Sequence, residues 1–360
     1  MEITMKIAVL AEMAPAKAFI PIIQQLDADI IGLTHGHGVE EILGKYCTEI
    51  HSIGQSRGHG AKKRSNSKIA TLVMEDIWRV IKFLRGKDID LLMTCGNAGD
   101  VRKGIAAAKI LRIPNLHIEQ DIYNPIEMLA FSNLITVPSP EYKEYVVDKY
   151  GLKNVHSIGG YPMAVYVDRL EMEDSDSVKT KYSVDEFYVL VLGGDVKGED
   201  VPNIISQVES LNTDVLVVPF RFSESYVKSF IKSPNLKVLE GYVELPGLMK
   251  ASKGIIYGAG MGLTIEAGVL STPAVKIAGF HRKHASVDLA HEIGIEVAEI
   301  NDIADAVREI KTPNGGKLVN NGETAVNTTL EIIKNFDQLK TNSSGIQSFR
   351  SIWDARSEFK

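Results

Sequence analysis

Cysteine is scarce in this sequence. Cys47 and Cys95 stand far apart, so neither a disulfide framework nor a paired metal-ligand spacing is written into the chain, and a reducing compartment suits it. Long apolar runs are lacking too. No stretch approaches the roughly 18 consecutive apolar residues of a membrane span. Basic excess is missing: 40 Lys and Arg face 46 Asp and Glu, a net charge of −6, which gives no global field for nucleic acid. The opening MEITMKIAVLAEM holds one early lysine and a short apolar run, and reads as a first strand rather than a signal peptide. The expected setting is the cytoplasm. The HGHG at 35–38 has two histidines with no third ligand near in sequence, so a turn is the better reading; no metal and no cofactor are expected.

What is present is alternation. With 360 residues and 44% hydrophobic content the chain suits two globular domains. Apolar runs at 6–11, 29–34, 90–94, 114–118 and 134–138 are separated by helical spacing at 17–27, 67–85, 98–111 and 123–133. A second series of strands is expected at 187–193, 214–219, 236–241, 253–258 and 273–279. Strand–helix alternation predicts parallel sheets with right-handed crossovers. The expected fold class is α/β, two Rossmann-like parallel-sheet domains facing a cleft. The boundaries read as domains at 1–165 and 186–320, a polar linker at 166–185, and C-terminal helices at 321–360 that dock back on the first domain through Phe349, Ile352 and Trp353.

Glycines cluster after strands. In YGAGMGLTIEAG (257–268), Gly258, Gly260 and Gly262 precede a helix expected to begin near Leu263–Thr264. Bare backbone lets N–H groups approach an anion, and a helix N-terminus adds partial positive charge worth about 0.3–1 kcal/mol. A diphosphate on this backbone, with Glu266 holding the attached sugar, is one reading; packing glycines and a first-turn helix acid are the other. LGGDVKGED (192–200) offers Gly193 and Gly194 as a second phosphate cradle, provided Asp195 points away. GYVEL (241–245) ends a strand, and the backbone of Val243 could read a base edge. In the first domain MTCGNAGDVRKG (93–104) repeats the strand–glycine–helix plan, and HIEQDIYNPIE (117–127) ends a strand with acids and an amide. There Glu119 and Asp121 either face the cleft or cap the next helix.

These motifs resemble two related groups with the GT-B fold. EQD at 119–121, GGDVKG and GMGLTIEAG are similar to elements of the N-acetylglucosaminyltransferase of peptidoglycan synthesis. By that resemblance Glu266 binds the ribose of UDP, Thr264 and Gly262 sit by the diphosphate, and GFHRKHASVDLAHEIG (279–294) brings His281 and His284 to the donor sugar. PAKAFIPIIQQL (15–26) and CGNAGDVRKGIAAAKILRIPNLHIE (95–119) resemble the non-hydrolysing UDP-N-acetylglucosamine 2-epimerases instead. The departures count against their chemistry: Ala14 replaces an arginine, Asn97 an aspartate, and GGD a His-Arg-Arg loop. Elimination and re-addition of UDP needs acids and bases near the sugar; Glu119, Glu127 and Lys17 remain.

The expectation is therefore a metal-independent glycosyltransferase taking an N-acetylhexosamine from a UDP-sugar. The domain 1–165 takes the acceptor and 186–320 the donor. Glu12, at the end of the first strand where the transferase has a histidine, is the candidate base, with Glu119 in reserve; the plain alternative for Glu12 is a first-turn helix acid. Asn97, Gln120, Asp121 and Glu127 line the acceptor side. The basic run at 54–68, with five Lys or Arg and no acid, is followed by LVMEDIWRVIKFLRGK. It is either a solvated loop or, across 57–87, a contact with an anionic, lipid-linked acceptor or the inner membrane face. An epimerase-like isomerase and a non-catalytic nucleotide-sugar-binding protein are the alternatives.

Overall fold

The structure is a computed structural model that describes residues 4–36, 38–54, 66–97, 99–220, 222–241, 243–280, 282–341 and 345–357. Two compact units emerge, the first from described residues of 1–57, 62–166 and 320–360, the second from those of 167–319. Each is a parallel sheet with helical crossovers.

In the first unit the strands are β1 (Met5–Ala11), β2 (Ala28–His35), β3 (Glu49–Gly54), β4 (Leu91–Cys95), β5 (Asn115–Ile118), β6 (Leu134–Val137) and β7 (Val155–Ser157), in the order β3-β2-β1-β4-β5-β6-β7. β1 is the hub. Ile7 pairs with Ile30 on one side and with Leu91 on the other. Ile7 through Ala11 have no solvent exposure, so the strand reads as an unbroken apolar run, as expected where helices cover both faces. Each such aliphatic side chain contributes about 1.5–3 kcal/mol on burial. Helix Gly99–Leu111 lies so close to the sheet that a Cβ at Gly104 would stand 2.7 Å from Thr94 Cγ2.

In the second unit β8 (Phe187–Val191), β9 (Asp214–Val218), β10 (Leu236–Val238), β11 (Gly254–Tyr257), β12 (Ala274–Ile277) and β13 (Glu296–Ala298) take the order β10-β9-β8-β11-β12-β13. Val201, Ile204, Ile205 and Val208, at helical spacing on Val201–Glu209, fill its core against Leu190, Val217 and Ile256. In both sheets the order reverses beside the first strand of the unit, between β1 and β4 and between β8 and β11. Open α/β sheets take ligands at the carboxyl ends of strands flanking that reversal.

Three elements differ from expectation. β3, β7 and β13 have no apolar run in the sequence, because all are edge strands and half-exposed. The stretch 166–185 is more than a linker. It contains helix Ser175–Tyr182, whose first amides, Asp176 and Ser177, donate to the Asp174 carboxylate at 3.1 and 3.0 Å. The helix expected at 123–133 is only a short 3-10 turn, Glu127–Phe131.

The C-terminal helix Ile346–Ser357 packs on that turn. Ile352 is fully buried, the Phe349 and Phe131 rings lie 5.6 Å apart, and Arg356 donates to the carbonyls of Asn124 (2.9 Å) and Pro125 (2.6 Å). Trp353, expected to dock, is half-exposed beside Phe349. Among the described residues no helix is long and apolar enough to cross a membrane.

Candidate functional site

In the second unit, the loops after β8, β11 and β12 are tied together by one residue. Asp195 N–H donates to the Gly258 carbonyl at 3.1 Å, and the Asp195 carbonyl accepts from Phe280 N–H at 3.2 Å. The Asp195 side chain is buried rather than turned to an incoming anion. Its charge acts on Lys276, a lysine inside β12 with 1% exposure. Burial lowers the Lys276 ammonium to about 8, with Asp195 pulling the other way, and the ammonium donates to the Ala259 carbonyl. A cation therefore sits directly beneath the 258–260 loop.

The glycines of these loops have different causes. A Cβ on Gly193 would lie 2.6 Å from Ala259 Cβ, and one on Gly258 would lie 2.1 Å from Val196 Cγ2. Both are required by the packing of one loop on the other, so Gly193 needs no ligand to explain it. Gly260 meets nothing nearer than His284 Cε1 at 3.7 Å. It caps helix Met261–Val269 without strain, and the open space at its Cα is what an anion needs.

That helix starts earlier than the sequence suggested. Gly262 is its second residue, and Glu266 falls in the second turn rather than the first. The macrodipole fades within the first turn, so it does not explain a carboxylate that is 2% exposed. Thr264 is buried and lies 2.9 Å from the Tyr257 hydroxyl, joining β11 to the helix. His284 caps the next helix, Ala285–Glu292: its Nδ1 accepts from Ser286 N–H at 3.0 Å. A neutral ring accepting there carries its proton on Nε2, which lies on the Gly260 side. Gly194 is half-buried in the β8 turn, and Val243 is half-buried in the loop before helix Leu245–Ala251. His281 lies outside the described residues.

In the first unit, Glu12 follows β1 and is the N-cap position of helix Met13–Ile23, yet it makes no side-chain cap. The helix-acid reading therefore fails. Its Oε1 is 2.9 Å from His35 Nδ1. His35 ends β2 and is buried, which corrects the reading of residue 35 as part of a turn; His37 lies outside the described residues. Across the ring, His35 Nε2 is 2.8 Å from Lys103 Nζ, which in turn is 2.6 Å from Asp76 Oδ2.

Asp100 opens helix Gly99–Leu111 with no solvent exposure, and neither carboxyl oxygen has a hydrogen-bond partner among the described residues. Burial first, then the charge of Glu12, raises its pKa well above the carboxylate range. The N–H groups of Asp100 and Val101 pull the other way but do not reach hydrogen-bond geometry. The charge of Lys103 also lowers it, but burial prevails and the protonated form of Asp100 is favoured.

At the end of β5, Glu119 Oε1 accepts from the amides of Gln120 and Asp121, both at 2.8 Å, which orders this turn; neither Glu119 nor Asp121 caps the next helical element, whose N-cap position is Ile126. Its Oε2 is buried without a hydrogen bond, 3.4 Å from His117 Nε2; Gln120 Nε2 is likewise unpartnered. His117 Nδ1 is 2.9 Å from Thr94 Oγ1. Asn97 donates to Asp121 Oδ2 at 3.0 Å. Glu127 is set apart from this group. Burial raises its pKa, but Arg102, bound to both carboxylate oxygens, and Arg356 outweigh burial and hold it below the usual range. It is a structural ion pair rather than a proton carrier. Of the stretch 57–87, residues 57–65 lie outside the described residues; helix Asn66–Leu84 exposes Met74 and Trp78.

Asp76, Lys103, Asp100, His117 and Lys276 join the candidate site in the structure and were not singled out in the sequence reading. The signals were present: a lysine inside the apolar run AVKIA, and Asp100 and Lys103 together on the turn face of one helix.

No protein-family model matches the chain, and no curated protein matches it. Solved structures do, 228 chains in all. The Methanocaldococcus jannaschii UDP-GlcNAc 2-epimerase in complex with UDP-GlcNAc and UDP is 18% identical, with a TM-score of 0.69 over 92% of this chain and 100% of that one. The UDP-N-acetylglucosamine 2-epimerase from Rickettsia bellii is 14% identical, with a TM-score of 0.73 over 93% of this chain and 97% of that one. The calicheamicin glycosyltransferase CalG4 is 9% identical, with a TM-score of 0.53 over 93% and 98%. The likeness lies in the fold: this chain has the two parallel-sheet α/β units of GT-B-like proteins.

Proposed function

We propose that the chain binds a UDP-linked N-acetylhexosamine and isomerises the sugar in the manner of an epimerase, rather than transferring it to an acceptor. This reverses the order expected from the sequence. The observation that carries it is Asp100, a carboxyl with no solvent exposure and no hydrogen-bond partner among the described residues, whose pKa burial and the charge of Glu12 raise. A carboxyl whose surroundings favour its protonated form is a candidate proton donor, and Glu12 is the candidate acceptor. Transfer to a hydroxyl needs one base; removing the C2 proton as UDP leaves C1, then adding a proton to the other face of C2 as UDP re-adds at C1, needs both an acid and a base. Asp121, joined to Asn97, supplies a carboxylate next to the position where the epimerase aspartate is replaced. Glu119 and His117 add further unpartnered polar atoms in the same unit. The similar structures support the choice of ligand: that from Neisseria meningitidis is bound to UDP-GlcNAc.

In this reading the second unit holds the nucleotide. Gly260, Gly262 and the amides of helix Met261–Val269 take the diphosphate, Glu266 the ribose, and His284 a phosphate or sugar oxygen. Lys276 supplies positive charge under the loop. The donors are preorganised, so the leaving diphosphate is stabilised without reorganisation.

The test is incubation with UDP-N-acetylglucosamine in D2O without acceptor. The expected result is deuterium at C2 and a second epimer, both lost in Asp100→Asn. Glycosyl transfer is the second reading, favoured by Glu12 being held at the end of β1 by His35. UDP release that depends on an acceptor, with no exchange at C2, selects it and rejects isomerisation.

A further inference from the structure

Four side chains from four separate elements form one buried file in the first unit. Glu12 follows β1, His35 ends β2, Asp76 lies on helix Asn66–Leu84 and Lys103 on helix Gly99–Leu111. The distances are 2.9 Å from Glu12 Oε1 to His35 Nδ1, 2.8 Å from His35 Nε2 to Lys103 Nζ, and 2.6 Å from Lys103 Nζ to Asp76 Oδ2. His35, Lys103 and Asp76 are all buried.

The chemistry of the groups decides where the imidazole proton sits. A lysine ammonium has donors only. Facing it, His35 Nε2 must offer a lone pair. The other partner within range of Nε2, Asp76 Oδ2, is 3.8 Å away, too far to accept a hydrogen bond. Nε2 is therefore bare, the ring proton is on Nδ1, and Nδ1–H donates to Glu12. Asp76 is in turn kept in place by Arg79 Nη1 at 2.9 Å, which also donates to the Ile53 carbonyl at 3.2 Å, so the end of the file is tied to β3 as well.

We propose that His35 is a positioning residue: Lys103, held by Asp76, imposes the Nδ1–H tautomer on it, and that N–H aims the Glu12 carboxylate. The assignment of Glu12 as the base rests on the function proposed above; the tautomer does not. One carboxylate oxygen is committed to His35, which fixes the direction in which the other can act. A misplacement of about 1 Å in a reacting group costs on the order of 100-fold in rate.

The experiment uses the full chain labelled with 15N-histidine. Long-range 1H–15N correlation spectra distinguish the two tautomers, and His35→Gln assigns the signal by subtraction. A protonated Nδ1 with a bare Nε2 is the expected result; a protonated Nε2 overturns the proposal. In Lys103→Met the single tautomer should be lost, and kcat should fall about 10- to 100-fold with KM little changed, while Lys103→Arg keeps both near wild type. An unchanged His35 spectrum in Lys103→Met overturns the proposal as well. Because that variant leaves the Asp76 carboxylate buried without its lysine, Lys103→Met/Asp76→Asn is measured beside it, with thermal unfolding as the control for folding. If wild type turns over no sugar nucleotide, the functional reading fails while the spectra still decide the tautomer.

Discussion

The Tyr257 phenol and the Thr264 hydroxyl lie 2.9 Å apart, both out of contact with solvent. The bond locks the end of β11 to the helix whose first amides face the 258–260 loop. It also accounts for a tyrosine in an otherwise aliphatic strand. Burial pushes the Tyr257 phenol far above its ordinary pKa, with the Thr264 bond pulling back, so burial favours the protonated hydroxyl.

Removing one partner should therefore cost more than removing both. Thr264→Val strands a buried phenol and is expected to cost about 1–3 kcal/mol. The double variant Tyr257→Phe/Thr264→Val should recover part of that loss. Urea unfolding of the two single variants and the double variant closes the cycle. Strict additivity would show that the pair is not coupled.

Gly193 and Gly260 make a contrasting pair. Gly193→Ala drives a methyl to 2.6 Å from Ala259 Cβ, an overpacking expected to cost about 1–3 kcal/mol with or without ligand. Gly260→Ala meets nothing inside 3.7 Å and should unfold at the wild-type midpoint, yet weaken UDP about tenfold or more by filling the approach to the helix amides. Calorimetric titration with UDP, beside thermal unfolding, reads both quantities. Undiminished UDP affinity in Gly260→Ala removes the loop from the proposed site.

Lys276 gives a signed pH dependence. Its folded-state value of about 8 lies below the model-peptide value of 10.5, so between those limits the unfolded chain carries a proton that the native chain lacks. Stability contributed at this position should rise as pH rises through that window, by up to about 3 kcal/mol. Below pH 8 both states are protonated and the dependence vanishes. Cys47, Cys95 and Tyr257 also titrate at alkaline pH, in the opposite sense for stability, so the measurement is the difference between wild type and Lys276→Met. That difference should climb from pH 8 to 10.5; a flat difference means the lysine is better solvated than its burial indicates.

Ten of the thirteen strands were legible as apolar runs, and nine of them lie inside their sheets, where both faces are covered; the tenth, β10, is an edge strand. Burial on both sides leaves no room for polar residues, and the sequence records it. Edge strands such as Glu49–Gly54 carry a charged and two polar side chains in six residues and leave no such record. The glycine clusters and Glu266 were legible for a similar reason, since a missing side chain is conspicuous in a list of letters. Their causes were not. Gly193 and Gly258 answer to each other's loops, whereas Gly260 has open space at its Cα.

By itself the sequence determined the parallel α/β plan of two units and which residue types follow the strands it marked, though it carried strands such as β10 past their ends, to 241 instead of Val238. Only the tertiary structure decided which of them act together. Glu12, His35, Asp76 and Lys103 span most of a hundred positions and share no motif, and they become one hydrogen-bonded file because crossover helices return distant segments to the same sheet end. The same burial that hides Asp100 from water raises its pKa, a property no local pattern can encode because it depends on everything packed around it.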